Sequence, residues 1–228
     1  MASPLIIIGA GGFSREAAEV VHAINEVSPT WDLLGFADDD AALEGSDLGG
    51  VRVLGGVETV LRQHPAARMV VGIGRPDNYF IRARIVRRLG LPAARYATIV
   101  HPTASVARSA AIGPGTVVLA GVVVTASAVI GAHVAVMPAA VITHDDVIAD
   151  YATLASGVLL GGSVTIGEGA YIGAGALVRQ ELTVGSWSLI GMGSVVTRDV
   201  PPAELWFGSP AQRRSGVDVP ADVWTRGG

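Results

Sequence analysis

The chain has 228 residues, of which 50% are hydrophobic, 16% charged and 5% aromatic, with 30 glycines and a net charge of −4. This excludes a disordered chain, which needs low hydrophobicity and high charge, and disfavours long-helix bundles, where each glycine costs about 1 kcal/mol. There is no cysteine and all 16 basic residues are arginine; a disulfide framework, a thiol nucleophile, a lysine Schiff base and a P-loop are therefore excluded, and without a basic block nucleic acid is not an expected partner.

The opening Met1-Ala2-Ser3-Pro4 lacks the basic stretch of a signal peptide, and no apolar run reaches the length of a membrane span. A cytoplasmic protein with no metal and no bound cofactor is expected. Leu5 to Ile8 reads as a strand that runs into Gly9-Ala10-Gly11-Gly12. Ala17, Val20, Val21 and Ile24 then recur at helical spacing. Leu33 to Ala37 reads as a second strand ending in Asp38-Asp39-Asp40, Val57 to Arg62 as a short helix and Arg68 to Ile73 as a third strand closed by Gly74. Asp77 to Leu89 reads as a basic amphipathic helix and Tyr96 to Val100 as a strand. Alternating strands and helices predict a Rossmann-like α/β domain with a parallel sheet over residues 1–98.

Ligands of such sheets sit at the carboxyl ends of strands. Here those ends carry the glycine turn, the aspartates and Gly74. The turn departs from GxGxxG, because Ser14 stands where the third glycine belongs, and Asp38 lies 27 residues past Gly11. From these residues alone a dinucleotide site, a purely structural turn and a nucleotide-sugar site all stay open.

From Val100 every sixth residue is aliphatic through Val106, Ile112, Val118 and onward to Ile190 and Val196, 17 positions without a break. Four residues after most of them stands a small or aliphatic residue such as Ala128, Val134 or Ala140, and glycine often follows the aliphatic, as at Gly113, Gly131 and Gly167. Six residues do not fit a helical period; they fit a short strand and a corner, with the aliphatic inward and glycine giving the backbone freedom at the bend. Such a unit buries its side chain only by stacking on copies of itself. The stack is expected over residues 99–200, with a C-terminal extension over 201–228.

Of the five histidines, His22 and His64 are expected at the surface, His101 in a structural role, and His133 and His144 off the inward positions. His144 is followed by Asp145 and Asp146, and Asp146 breaks the repeat by filling a small-residue slot. A carboxylate there is costly unless paired, and such rule-breaking concentrates at functional sites. One of the two carboxylates could orient the imidazole, the side chain whose ordinary ionisation suits proton transfer near neutrality. A functionless exposed histidine is the competing reading. Gly162 lies 18 residues after His144, one coil away if three hexapeptides make a coil. Its N–H would then face an oxyanion formed beside the imidazole.

The six-residue repeat resembles the hexapeptide-repeat acyltransferases. The stretches Ile6-Ile7-Ile8-Gly9-Ala10-Gly11-Gly12-Phe13, Gly35-Phe36-Ala37-Asp38-Asp39, Gly72-Ile73-Gly74, Ile99-Val100-His101-Pro102, Thr143-His144-Asp145 and Gly208-Ser209-Pro210-Ala211 are similar to the sugar O- and N-acyltransferases of the sialic acid and bacillosamine type. The resemblance runs over roughly residues 4–214. It implies a left-handed parallel β-helix, a homotrimer, and acetyl-CoA or another acyl-CoA as co-substrate in a groove between neighbouring helices. It implies His144 as general base, with Asp145 raising its basicity. It places acyl-CoA contacts at Thr153, Ala174 and Met192, and a nucleotide sugar at Gly11, Gly12, Phe13, Asp38, Asp39 and Gly74. Two departures stand out: many relatives carry histidine where this chain has Phe13, and several carry a second histidine at Thr153. Arg213 and Arg214 are either CoA phosphate contacts or a solvated tail. The resemblance implies acetyl transfer to the amine of a nucleotide-linked amino sugar. Transfer to a sugar hydroxyl and a non-catalytic sugar-binding trimer are the alternatives.

Overall fold

The computed structural model describes residues 2–224; Met1 and the last four residues of the expected C-terminal extension lie outside the described residues. Strands β1 (Ser3–Ile8), β2 (Trp31–Ala37) and β3 (Arg68–Val71) form a parallel sheet in the order β2-β1-β3. Leu5 to Ile8 are fully buried because the central strand of a parallel sheet is covered on both faces. Helix α1 (Gly12–Val27) turns Ala17, Ala18, Val20 and Val21 inward, and it stops at Ser28, whose backbone is extended ahead of Pro29. Helices α2 (Val57–Gln63) and α3 (Ile81–Leu89) pack on the other face through Val57, Val60, Ile85 and Val86. Gly90, at φ +56°, closes α3 in the left-handed conformation that favours glycine.

Two expected elements differ. Helix α3 begins at Ile81 rather than Asp77, because Pro76 initiates a turn in which the Asn78 amide donates to the Arg75 carbonyl. The run from Tyr96 to Val100 divides: Tyr96 makes a single bridge to Met69, whereas Ile99–Val100 opens the repeat region as β4.

From β4 to β20 (Val195–Val196) the chain forms 17 two-residue strands, one every six residues. They stack as three parallel sheets, pairing residues 18 apart, such as Ala135 with Thr153 and Val141 with Leu159. The result is a three-sided prism. The second residue of each strand points inward, and these aliphatics form one continuous core with Ala128, Ala140, Ala152, Ala170 and Ala176 from the small positions.

The glycines that follow the aliphatics are not the left-handed residues. Left-handed backbone falls two positions later, at Gly115, Gly121, His133, Asp145, Tyr151 and Trp187 among others. Glycine at 113, 131 and 167 answers a different constraint: a Cβ there would come within 2.3–2.6 Å of an atom of the next coil. The close stacking of the coils thus selects those glycines, and the corner tolerates several larger residues in their place.

The outward residues of the first face, Ile99, Val117, Ala135 and Thr153, are buried because the N-terminal α/β unit sits on them. On the other two faces Val129, Val147, Leu159 and Leu177 remain exposed. A hairpin of β21 (Glu204–Gly208) and β22 (Ala211–Gly216) extends the first face and closes the end of the prism with Trp206. The following residues return to α3, where Val223 is buried with Tyr79, Ala83 and Trp187 and Asp222 pairs with Arg84 at 2.6 Å.

Candidate functional site

His144 lies at the corner between the second and third faces, in the turn between Ile142 and Val147. Its Nδ1 is 2.8 Å from Asp145 Oδ2, and both side chains are more than half exposed. Asp145 reaches back to its neighbour because it occupies the left-handed corner position, at φ +62°, one that aspartate accepts more readily than most residues. The contact keeps the proton on Nδ1 and leaves the Nε2 lone pair to act as acceptor. Gly162 stacks against this ring: a Cβ at 162 would lie 2.4 Å from both Nε2 and Cε1. Any side chain there would displace the imidazole.

Asp146 has a different part. It is fully buried, accepting from the Thr143 amide at 2.7 Å and the Val164 amide at 2.8 Å. These bonds supply the pairing a carboxylate in a small-residue slot requires, and they tie the His144 corner to the next coil. Burial nevertheless pushes its pKa up to about 6, against the lowering effect of the two amides. Asp145 holds the imidazole and Asp146 holds the backbone.

The expected sugar-binding residues gather at the carboxyl ends of β1 and β3. A cleft of about 380 Å³ is lined by Gly11, Gly12, Phe13, Asp38, Gly74 and Arg75 among others. The glycines around it differ in what requires them. Gly9, at φ +95°, has no room for a Cβ beside Ile73, and Gly72 has none beside Ser14. Gly11 and Gly12 face open space, so packing does not demand them; they leave the first amides of α1 accessible to an anionic ligand. Asp38 braces the turn, accepting from the amides of Ala10 and Asp40 at 2.8 and 2.9 Å. Asp39 accepts from the Val57 amide at the start of α2 and meets Arg88 at 3.2 Å. An adjoining pocket of about 200 Å³ lies between Asp38, Asp39, Val57, Ile81 and Arg88.

A further pocket, of about 240 Å³, joins the two halves of the chain: Phe13 and Gly74 line it with Thr153, Ser156, Tyr171 and Ala174. Residues 156, 174 and 192 succeed one another at 18-residue intervals along the corner between the first and second faces. Met192 stands 79% exposed in that row. Arg213 pairs with Glu204 at 2.7 Å, and the Arg214 guanidinium lies 4.5 Å from the Phe207 ring centre; both sit on the closing hairpin.

Two residues carry more of the structure than their sequence context suggests. Arg82, on α3, is 2% exposed and crosses from the α/β unit into the prism, donating to the carbonyls of Ile73, Tyr151 and Ala152 and to Thr153 Oγ1 at 2.7–3.2 Å. Burial pushes its pKa down to about 10, which leaves it cationic at neutral pH. The readable signal was its place on the same helix face as Ile85, Val86 and Leu89. His133 is not off the core as expected. The docked α/β unit covers it to 5% exposure, between an edge contact to Tyr96 and a stacked Tyr151, and burial together with the charge of Arg82 pushes its pKa down to about 4. It is a neutral packing residue.

In one chain His144 and the Phe13–Gly74–Thr153 pocket are on different sides of the prism, since the pocket opens on the first face. The pocket and the imidazole are therefore separated within one chain.

Comparison with known proteins identifies the class. Residues 4–89 match the family described as the PglD N-terminal domain. The acetyltransferase domain of PglB from Neisseria gonorrhoeae is 33% identical, with 93% of this chain and 100% of that one covered and a TM-score of 0.80; its complex with acetyl coenzyme A gives a TM-score of 0.82 at 32% identity, with 94% and 100% covered. A histidine-to-asparagine variant of perosamine N-acetyltransferase from Caulobacter crescentus, in complex with CoA and GDP-perosamine, is 30% identical, with 93% and 97% covered and a TM-score of 0.81. UDP-N-acetylbacillosamine N-acetyltransferase of Bacillus subtilis is 34% identical over 115 residues, and the chain spans about half the length of that curated relative.

The chain belongs to this family of acyl-CoA-dependent sugar acetyltransferases, and its prism is their left-handed parallel β-helix. Among the described residues no helix is long and apolar enough to cross a membrane.

Proposed function

We propose that this protein transfers an acetyl group from acetyl-CoA to the amine of a nucleotide-linked amino sugar. The observation that carries the reading is the imidazole of His144, held by Asp145 with Nε2 against the backbone of Gly162. The structural relatives support the substrate class, since one is seen with acetyl coenzyme A and another with CoA and GDP-perosamine.

In this mechanism the sugar amine attacks the thioester carbonyl carbon while His144 Nε2 takes its proton. The carbonyl electron pair moves to oxygen, where the Gly162 N–H receives it. Collapse of the adduct then breaks the C–S bond, and CoA leaves as a thiolate that takes up a proton. No acyl-enzyme is involved, and the chain has no cysteine. The nucleotide sugar occupies the cleft at Gly11, Gly12, Phe13, Asp38 and Gly74, with Asp39 in the adjoining pocket. The acyl-CoA follows the corner row of Ala174 and Met192 upward to Thr153.

The two half-sites come together in a homotrimer, where the His144 corner of one copy enters the cleft of the next. The exposed Val129, Val147, Leu159 and Leu177 on the two uncovered faces support this association. We place the reaction in the cytoplasm, where acyl-CoA is available, and assign residues 1–98 to the sugar, 99–200 to acyl-CoA and proton transfer, and 201–228 to a closing extension. The test is release of free CoA with a panel of UDP-, GDP- and dTDP-linked amino sugars. Turnover with a nucleotide-linked amine supports the reading, whereas turnover confined to a free hydroxyl sugar replaces it with O-acetyl transfer.

A further inference from the structure

Past the closing hairpin, residues 217–224 belong to neither the sheet nor the prism, and they lie beyond the stretch that carries the family resemblance. The segment leaves β22 through the Val217 amide, which donates to the Ala203 carbonyl at 2.7 Å, and it turns at Pro220, whose carbonyl accepts from the amides of Val223 and Trp224. Between residues 212 and 224 one side chain is buried, that of Val223, with no exposed surface. It enters a nest of Tyr79, Ala83 and Trp187, against which Val217, Val219 and Trp224 also pack. Beside it Asp222 meets Arg84 Nε at 2.6 Å, and the Asp222 carbonyl accepts from Arg87 Nη1 at 3.0 Å. Arg87 pairs in turn with Glu168 of the prism at 2.7 Å. The Arg84–Asp222 pair is about half exposed, and pairs of that kind hold weakly. The buried valine is therefore the main anchor.

The anchor sits behind a wall of the α/β cleft. Residues 74–80 connect β3 to α3 without helix or strand. Gly74 and Arg75 line the cleft of about 380 Å³, and Gly74 lines the pocket of about 240 Å³ beside it together with Arg82 and Tyr171. Within the connection the bonds are local: the Asn78 amide donates to the Arg75 carbonyl at 3.0 Å, and Arg75 pairs with Asp77 at 2.8 Å. Its far end is tied to the prism, where Tyr79 Oη donates to the Trp187 carbonyl at 2.8 Å and the Phe80 and Trp187 ring centres are 5.6 Å apart. Val223 packs in this same cluster, and with it in place Tyr79 is 4% exposed. Without it the tie would meet water, and an irregular connection with few buried contacts would be free to open.

We propose that residues 217–224 form a strap, anchored by Val223, that fixes residues 74–80 from outside and so sets the affinity for the nucleotide sugar. The inference rests on the acetyl-transfer reading and adds to it a positioning element that touches neither substrate. A wall already held in its bound shape does not have to be ordered when ligand arrives, and this preorganisation is read as affinity. The prism needs no such support, because its coils hold one another. The corner row of Ala174 and Met192 therefore keeps its shape when the strap is released, and the strap acts on one substrate while sparing the other.

The experiment compares, in the full chain, Val223→Asp, which puts a charge into the apolar nest, with Val223→Ile, which keeps the anchor apolar. Hydrogen exchange over residues 217–224 reports the strap, and steady-state kinetics reports its effect. In Val223→Asp the segment should lose protection and KM for the nucleotide sugar should rise roughly tenfold, while kcat and KM for acetyl-CoA stay within about threefold. Val223→Ile should match the wild type in all of these. Retained protection in Val223→Asp would overturn the anchor. Lost protection with KM for the nucleotide sugar changed by less than about twofold would overturn the strap's role, as would equal rises in both KM values or a fall confined to kcat. If Val223→Asp does not fold, Val223→Ala is read in its place: a rise of about threefold in KM for the nucleotide sugar alone is expected, and an unchanged value counts against the strap. A wild type that releases no CoA with any amino sugar defeats the acetyl-transfer reading itself. Calorimetric binding of UDP, GDP and dTDP then decides the strap, with weaker binding by Val223→Asp supporting it and equal binding refuting it. An active wild type whose Val223→Asp variant keeps its KM defeats only the strap.

Discussion

At the residue scale, two adjacent aspartates have been given different work by the turn they share. Asp145 points outward to the imidazole and Asp146 inward to two amides. Replacing His144 with alanine should lower turnover by roughly 10²–10⁴-fold while the melting temperature stays within a degree or two, because the side chain is exposed. Gly162→Ala should lower kcat at least tenfold, since its methyl would sit on the imidazole; steady-state kinetics beside a thermal melt separates this from unfolding. Asp146→Ala should behave in the opposite sense, costing about 1–3 kcal/mol of stability for each amide left unpaired, measured by denaturant unfolding.

The pH dependence of Asp146 has a definite sign. Its pKa in the folded chain, about 6, lies above the ordinary value of 3.8, so the folded state holds the proton more tightly than the unfolded one. Its contribution to stability is present below about pH 4 and is lost as the pH rises through about 6. The melting-temperature advantage of the wild type over Asp146→Asn should therefore shrink as the pH is raised from about 4 to 7.

At the scale of elements, the repeat was legible because each coil is specified locally. One aliphatic and one small residue every six positions contain the inward face, and stacking on identical units needs no further instruction. His144 and Gly162 could be related to one another for the same reason, since an 18-residue offset is a vertical neighbour in such a stack, whereas the choice of Asp145 over Asp146 came only from the resemblance. What could not be read depends on contacts distant in sequence. Burial of His133 follows from docking of a unit that lies outside the repeat, and the role of Arg82 follows from the carbonyls of a turn 69 residues away. The closing hairpin carries no hexapeptide signature, and its place is set by pairing with the last strand of the first face. The glycine after each aliphatic was legible as a position but not as a cause, because the clash it avoids is with the neighbouring coil. The exposed apolar rows make a prediction at this scale. Leu159→Glu or Leu177→Glu should leave the prism folded, as judged by circular dichroism, but shift sedimentation from trimer towards monomer.

For the whole molecule, the first face of the prism is occupied by the chain's own α/β unit, while the corner with His144 is on the opposite side. The Phe13–Gly74 cleft and the His144 imidazole thus face different directions in one copy, and the proposed three-fold ring would bring them together. In that proposed arrangement the open backbone at Gly11 and Gly12 and the corner row of Ala174 and Met192 would be two entrances to a common centre.

Intersubunit complementation tests this most directly. Gly12→Trp should fill the sugar cleft without strain, since a side chain at Gly12 meets open space, and it should be inactive, as should His144→Ala. Co-expressed, the two variants should form mixed trimers in which roughly a quarter of the sites combine an intact imidazole from one copy with an intact cleft from another, and CoA release should recover to about that fraction. Mixed trimers that remain as inactive as either parent would contradict a site shared between copies.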